Sequence, residues 1–202
     1  MKACLIILLG SFWANWAWAV TEIDFNYTLE RKSFGENKEN KIVGQTYYAA
    51  VAYYFRSSTA IEINGSYDYK KTTTYLSDPL LINTATLYGS GNKLKTWSYG
   101  AGIRQALAPA SFPVRPLIGF GWARQEQSDK NFYLLDNGGG TINLEGMEQK
   151  VQQDVAYILA ALKIALSAHW SLKISALGTF KPFHWNEITK DMRYLGGLMI
   201  TF

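Results

Sequence analysis

The sequence holds one cysteine, Cys4, five prolines and two histidines in 202 residues. A single cysteine excludes an internal disulfide framework. Two histidines far apart, His169 and His184, with no cysteine near either, leave no ligand set for a transition metal. Charge of one sign is missing too. Of the 20 Lys and Arg residues, Lys2 lies in the first apolar segment, which leaves 19 against 16 Asp and Glu. That balance is scattered along the chain, and it argues against a nucleic-acid surface. Beyond the first nineteen residues no run approaches the roughly 18 apolar residues of a spanning helix. No Gly-Lys-Ser/Thr follows the glycines of Asn137 to Thr141, so no phosphate loop is present. No cofactor is expected.

Aromatic residues are abundant: seven Trp, thirteen Tyr and ten Phe. Residues 1–19 combine a basic start, an apolar stretch from Cys4 to Trp13 and the small-x-small pattern Ala17-Trp18-Ala19. They read as a secretory signal peptide, with residues 20–202 as one exported domain. If this segment is removed, the only thiol goes with it.

From there on, apolar and polar residues alternate with a period of two, the spacing of a strand with unlike faces. Ile61, Ile63, Tyr67 and Tyr69 alternate with Glu62, Asn64, Ser66, Asp68 and Lys70; Trp97, Tyr99, Ala101 and Ile103 alternate with Ser98, Gly100, Gly102 and Arg104. Eight such segments lie at roughly 21–34, 41–55, 60–74, 95–107, 115–127, 149–166, 171–182 and 190–202. Several exceed the ~9–11 residues that a tilted strand needs to cross a bilayer. The connections after the second, fourth and sixth are short, whereas residues 75–94 and 128–148 form long intervals. The pattern predicts an all-β, eight-stranded, antiparallel up-and-down transmembrane barrel. The segment Val155 to Leu166 is apolar on both faces and has helical propensity, yet an even strand count places it in the barrel.

Period two alone does not say which face is outside. A soluble lipocalin-like barrel would turn the apolar face inward. Glycine and alanine on the polar face (Gly44, Ala50, Ala52, Gly100, Gly102, Gly119, Gly121) suit a narrow lumen. Aromatics at segment ends suit the two interfaces, with Trp170 at one and Trp97 and Trp122 at the other. The last segment carries Tyr194, Gly196, Leu198, Ile200 and Phe202 on one face. These features favour lipid outside.

Gly197, Ile200 and Phe202 fill the places of the C-terminal signal read by the outer-membrane assembly machinery, with Leu195 where a polar residue is usual. Together with "RPLIGFGWA" (115–123) and "LKIALSAHWSLKIS" (162–175), they give a chain that resembles the small OmpA-like and OmpX-like barrels. The resemblance implies a bacterial outer-membrane location, with the assembly machinery and outer-leaflet lipid or lipopolysaccharide as partners.

Alternation places Asp24, Glu30, Glu62, Asp68, Lys70, Arg104, Arg115, Lys163, Lys173, Lys181 and Arg193 in the lumen, where charges must pair. Glu62 with Arg104, on neighbouring strands, and Glu30 with Arg193, across the closing seam, are the expected pairs. Such a network is either a polar core that satisfies itself or a gate that exchanges salt-bridge partners. "HWS" (169–171) superficially resembles the His-x-Ser of lipid A deacylases, but Leu172 follows and the stretch falls in a short turn. The expected role is therefore non-enzymatic: structural or surface-interacting through 75–94 and 128–148, with a narrow pore as the alternative.

Overall fold

In the computed structural model, which describes residues 20–35, 38–82, 85–184 and 192–202, the chain is a ring of eight strands. They are β1 (Val20–Phe34), β2 (Asn40–Tyr54), β3 (Thr59–Ile82), β4 (Ala85–Ala106), β5 (Val114–Asp136), β6 (Thr141–Ala165), β7 (Trp170–Phe180) and β8 (Met192–Thr201). Each pairs antiparallel with the next, and β8 returns to β1 with Ile200 opposite Ile23 and Leu198 opposite Phe25. Closure removes every edge at the level of the ring. The expected segment 1–19 lies outside the described residues.

Val155 to Leu166 is strand up to Ala165. Its double-sided apolarity has a local cause. Val155, Tyr157 and Leu159 point inward and are buried, while Ile158 and Leu162 point outward and are exposed. Tyr157 has room because β4 and β5 carry glycine beneath its ring. A Cβ on Gly121 would lie 2.7 Å from Tyr157 Cε1, and one on Gly102 would lie 2.4 Å from its hydroxyl. This gives the glycine-rich inner face of β4 and β5 a specific purpose.

The intervals 75–94 and 128–148 are not long loops. β3 and β4 stay paired to Ile82 and Ala85, and β5 and β6 to Asp136 and Thr141, across irregularities near Tyr75/Leu80, Leu87/Gly89 and Lys130/Phe132. Local β pairing extends the hairpins because those intervals keep enough β-branched and aromatic residues to sustain a ladder. β7 has 11 residues and β6 has 25, and the β6–β7 pairing reaches only to Ala156. Residues 141–155 of β6 thus continue past the end of the β6–β7 ladder, about 50 Å of extended chain at ~3.3 Å per residue. Strands β3 to β6 form a four-stranded wall that rises beyond the ring. At its tip Leu80 pairs with Leu87, Leu87 with Leu135, and Leu135 with Ile142. Residues in register share a face, so this row is an apolar band across all four strands. Leu80 and Ile142 in it are exposed.

Candidate functional site: a charged lumen, an apolar exterior and a projecting wall

The lumen is built from opposite walls of unlike charge. β1 and β3 present Glu22, Asp24 and Glu62, while β5 to β7 present Arg115, Lys163 and Lys173, which are direct cross-strand neighbours of one another. Like charges side by side repel, and the acids across the lumen supply the compensation. Arg104 of β4 lies at the centre, fully buried. Its Nε donates to Glu62 Oε2 at 2.6 Å, its Nη2 meets Asp24 Oδ2 at 2.5 Å and also Glu62, and its Nη1 lies 3.5 Å from Glu22 Oε2. Lys173 Nζ donates to Asp24 Oδ2 at 2.5 Å, and Lys163 Nζ to Glu22 Oε1 at 2.6 Å and Thr201 Oγ1 at 3.1 Å.

Strand β2 shapes the acidic wall. Its inward positions read Tyr48, Ala50, Ala52, Tyr54, so two small residues leave a hollow between two phenols. Tyr48 OH donates to Glu62 Oε1 at 2.7 Å, and Tyr54 OH to Glu22 Oε2 at 2.9 Å. Asn64 Nδ2 adds a bond to Glu62 Oε1 at 3.0 Å. Three carboxylates thus face three cations, and the remaining carboxylate oxygens are largely held by neutral donors. Hydrogen bonding is the condition under which buried charge is tolerated, and within this network Asp24 Oδ1 and Arg104 Nη1 are left without a hydrogen-bond partner.

The Glu62–Arg104 pair is present. Glu30–Arg193 is not: Arg193 Nη1 meets Asp68 Oδ2 at 2.5 Å, and Thr46 Oγ1 donates to Asp68 Oδ1 at 2.7 Å. Glu30 is exposed and, among the described residues, makes no ion pair. Lys70 and Lys181 are exposed as well. Their parity is inward, but they lie at or above the upper rim, where no opposite wall encloses them. Glu22, absent from the expected set, is also buried in the lumen, and its shared parity with Asp24 two residues on is the signal that marks it. Contacts across the lumen, between residues 80 to 149 apart in sequence, have no sequence signature.

The exterior is the opposite of the lumen. Phe25, Val51, Ile61, Ile63, Phe120 and Ile174 all face outward with 46–66% of their surface exposed. A water-soluble barrel would leave this band in water at large cost, at about 25 cal/mol per Å². The lipocalin-like arrangement is thereby excluded. Above the band runs an aromatic row across four strands, Tyr27, Tyr47, Tyr67 and Trp97, each in register with the next. Their ring centroids are 5.1, 6.5 and 4.6 Å apart in turn. Trp97 and Trp122 are half exposed at this end, and Trp170 is half exposed at the other, beside the short turn 166–169. A closed ring, an apolar outer band and aromatic girdles at both ends are what a hydrocarbon layer demands of strands. The chain is a transmembrane β-barrel. Its architecture is that of the bacterial outer membrane.

No protein-family model matches the barrel, and no curated protein does. Solved structures do. The N-terminal β-barrel domain of Pseudomonas aeruginosa OprF is 15% identical, with 91% of this chain and 97% of that one covered and a TM-score of 0.46. Ail, the attachment invasion locus protein of Yersinia pestis, solved with the heparin analogue sucrose octasulfate, is 13% identical, with 91% and 99% covered and a TM-score of 0.46. The outer membrane protein OprG from Pseudomonas aeruginosa is 10% identical, with 91% and 95% covered and a TM-score of 0.48. These are likenesses of fold; the barrel's assignment rests on its own registers and surfaces.

The closing strand places Ile200 and Phe202 on the lipid side, and Phe202 N donates to Thr21 O at 2.9 Å. Gly197 faces inward, where a Cβ would lie 2.0 Å from Phe25 O and 2.6 Å from Asn26 Cα. The β1–β8 seam itself requires glycine there. His169 and Ser171 diverge: His169 is exposed in the turn with Nδ1 3.0 Å from Thr201 O, while Ser171 is buried in the lumen.

Proposed function

We propose that the protein is a non-enzymatic, non-conducting outer-membrane barrel that presents the β3–β6 wall as a surface for interaction. The continuation of four paired strands beyond the ring, tipped by Leu80, Leu87, Leu135 and Ile142, is the observation that carries this reading. A loop that only closed a hairpin would need few residues, whereas this wall holds a flat apolar row far above the lipid band. The lumen supports the non-conducting part, since Arg104, Asp24, Glu22, Glu62 and Lys173 meet there with 0–1% exposure. His169 and Ser171 offer no nucleophile with an adjacent base. The closing strand, with Gly197, Ile200 and Phe202, would be the segment engaged by the assembly machinery.

The test is a Leu80→Thr/Leu135→Thr/Ile142→Thr variant that still shows heat-modifiable gel migration. Loss of envelope integrity or surface contact in cells carrying it is expected, and a phenotype identical to wild type would remove the reading.

A pore is the second reading, favoured by one detail: Arg104 and Lys173 share Asp24 Oδ2. Two cations on one oxygen is the geometry from which partners exchange. Planar-bilayer recording of wild type and Glu62→Ala decides between them. Steady conductance in wild type, altered in the variant, would establish the pore.

A further inference from the structure

Immediately above the aromatic row the outward face of the wall turns basic. In register, Tyr67 lies opposite Trp97, Tyr69 opposite Lys95, and Lys71 opposite Lys93, which in turn lies opposite Lys130. Lys71 is four residues beyond Tyr67 on the same face, about 13 Å along the strand and about 10 Å along the axis of a barrel with its usual tilt. With a headgroup layer about 5–8 Å deep on each side, this sets the lysines at its outer boundary. Two of these lysines are gathered around one ring. Lys71 Nζ lies 5.2 Å and Lys93 Nζ 5.5 Å from the centroid of Phe132, which is itself buried. Phe132 packs against Gly91, where a Cβ would come within 2.3 Å of its Cζ. The ring and the glycine beneath it form a floor, and the ammonium groups stand over it.

One anion already occupies part of this site. Glu145 Oε1 accepts from Lys93 Nζ at 2.6 Å, and Glu145 Oε2 accepts from Lys130. Lys71 and Lys95 have no carboxylate partner among the described residues. Glu148 lies opposite Lys130 in register, so Lys71, Lys93, Lys95 and Lys130 outnumber the two carboxylates beside them, Glu145 and Glu148, on a face continuous with the lipid-contacting surface.

We infer that Lys71 and Lys93 over Phe132, together with Lys130 beside Lys93, bind the phosphate groups of outer-leaflet lipopolysaccharide. The inference is independent of the wall tip's role, because the site lies at the membrane surface and shares no residue with the Leu80–Ile142 row. An ammonium near an anionic surface contributes about fivefold in binding. Losing all three lysines therefore predicts a loss of about a hundredfold. Glu145 holds Lys93 and Lys130 in place but competes with the incoming phosphate, so its neutralisation tightens binding.

The experiment uses the full barrel refolded in a zwitterionic detergent and titrated with micelles of purified lipopolysaccharide at two salt concentrations. Heat-modifiable migration serves as the folding control. Lys71→Gln/Lys93→Gln/Lys130→Gln should bind about a hundredfold more weakly, and Lys71→Gln alone, which breaks no ion pair, about fivefold more weakly. Glu145→Gln should bind more tightly than wild type. Lipopolysaccharide stripped of its lipid A phosphates should bind wild type as weakly as the triple variant binds the intact lipid. Equal binding by wild type and Lys71→Gln, weaker binding by Glu145→Gln, or indifference to the phosphates would overturn the inference. So would soluble heparin displacing lipopolysaccharide from the same lysines, which would make the occupant a free polyanion.

Discussion

Replacing Arg104 with alanine isolates the interior network from every other feature of the barrel. Three cations, Arg104, Lys163 and Lys173, meet three carboxylates, Glu22, Asp24 and Glu62, within a lumen closed to solvent. After truncation Lys173 remains on Asp24 and Lys163 on Glu22. Glu62 then loses the one cation paired with it among the described residues and keeps the Tyr48 and Asn64 donors. Removing one partner from a buried pair costs roughly 3–5 kcal/mol. Arg104 contacts Asp24 as well as Glu62, so the upper part of that range, about 4–5 kcal/mol, applies. The Arg104→Met/Glu62→Gln double variant removes charge from both sides and should recover at least ~2 kcal/mol relative to additivity. Urea titration of the barrel refolded into vesicles, followed by tryptophan fluorescence and the gel shift of the folded form, supplies both quantities. A cost for Arg104→Ala near the ~0–1 kcal/mol of an exposed pair, or additivity of the two changes, would show that water reaches the network and refute the sealed lumen.

Gly197→Val should prevent closure of the β1–β8 seam, because even a Cβ at this position lies 2.0 Å from Phe25 O; the heat-modifiable band should be lost, and a folded barrel of normal stability would count against the seam geometry. Lys130 and Lys93 hold the Glu145 carboxyl well below its ordinary 4.5, at about 2. A group so depressed contributes its stabilisation in full above the ordinary value and loses it as pH falls through about 2. The Glu145 side-chain carbon resonance should therefore titrate near 2, and a midpoint near 4.5 would mean that the two lysines do not engage it. In variants that retain one tryptophan, Trp97 and Trp170 should both be quenched by lipids brominated near the headgroup and less by lipids brominated at the chain ends. Preferential quenching of either from the bilayer centre would displace the girdles.

Much of the ring was legible because period-two alternation reports sidedness one strand at a time. Ile61 to Lys70 and Trp97 to Arg104 each assign inside and outside without reference to any neighbour. Glu62 and Arg104 were found as a pair because adjacent strands in a meander are also adjacent in sequence. Arg193 was assigned the wrong acid for the complementary reason. Proximity across the closing seam suggested Glu30, yet Glu30 is exposed and Arg193 meets Asp68 of β3 instead. The wall was hidden because alternation weakens past Thr74 and Ser128, where the irregularities at Tyr75/Leu80 and Lys130/Phe132 reverse the parity.

By itself the sequence determined that this chain makes strands with unlike faces, how many there are, and which face of each is apolar, since these follow from local spacing. Only the tertiary structure decided that the β1 acids Glu22 and Asp24 meet Arg104 of β4, Lys163 of β6 and Lys173 of β7 across the lumen. It alone showed that the hairpins continue as a wall and that Lys71 and Lys93 converge on Phe132. Those relations depend on closure and on register, which bring together residues as far apart as Asp24 and Lys173. No local pattern encodes a distance across a ring.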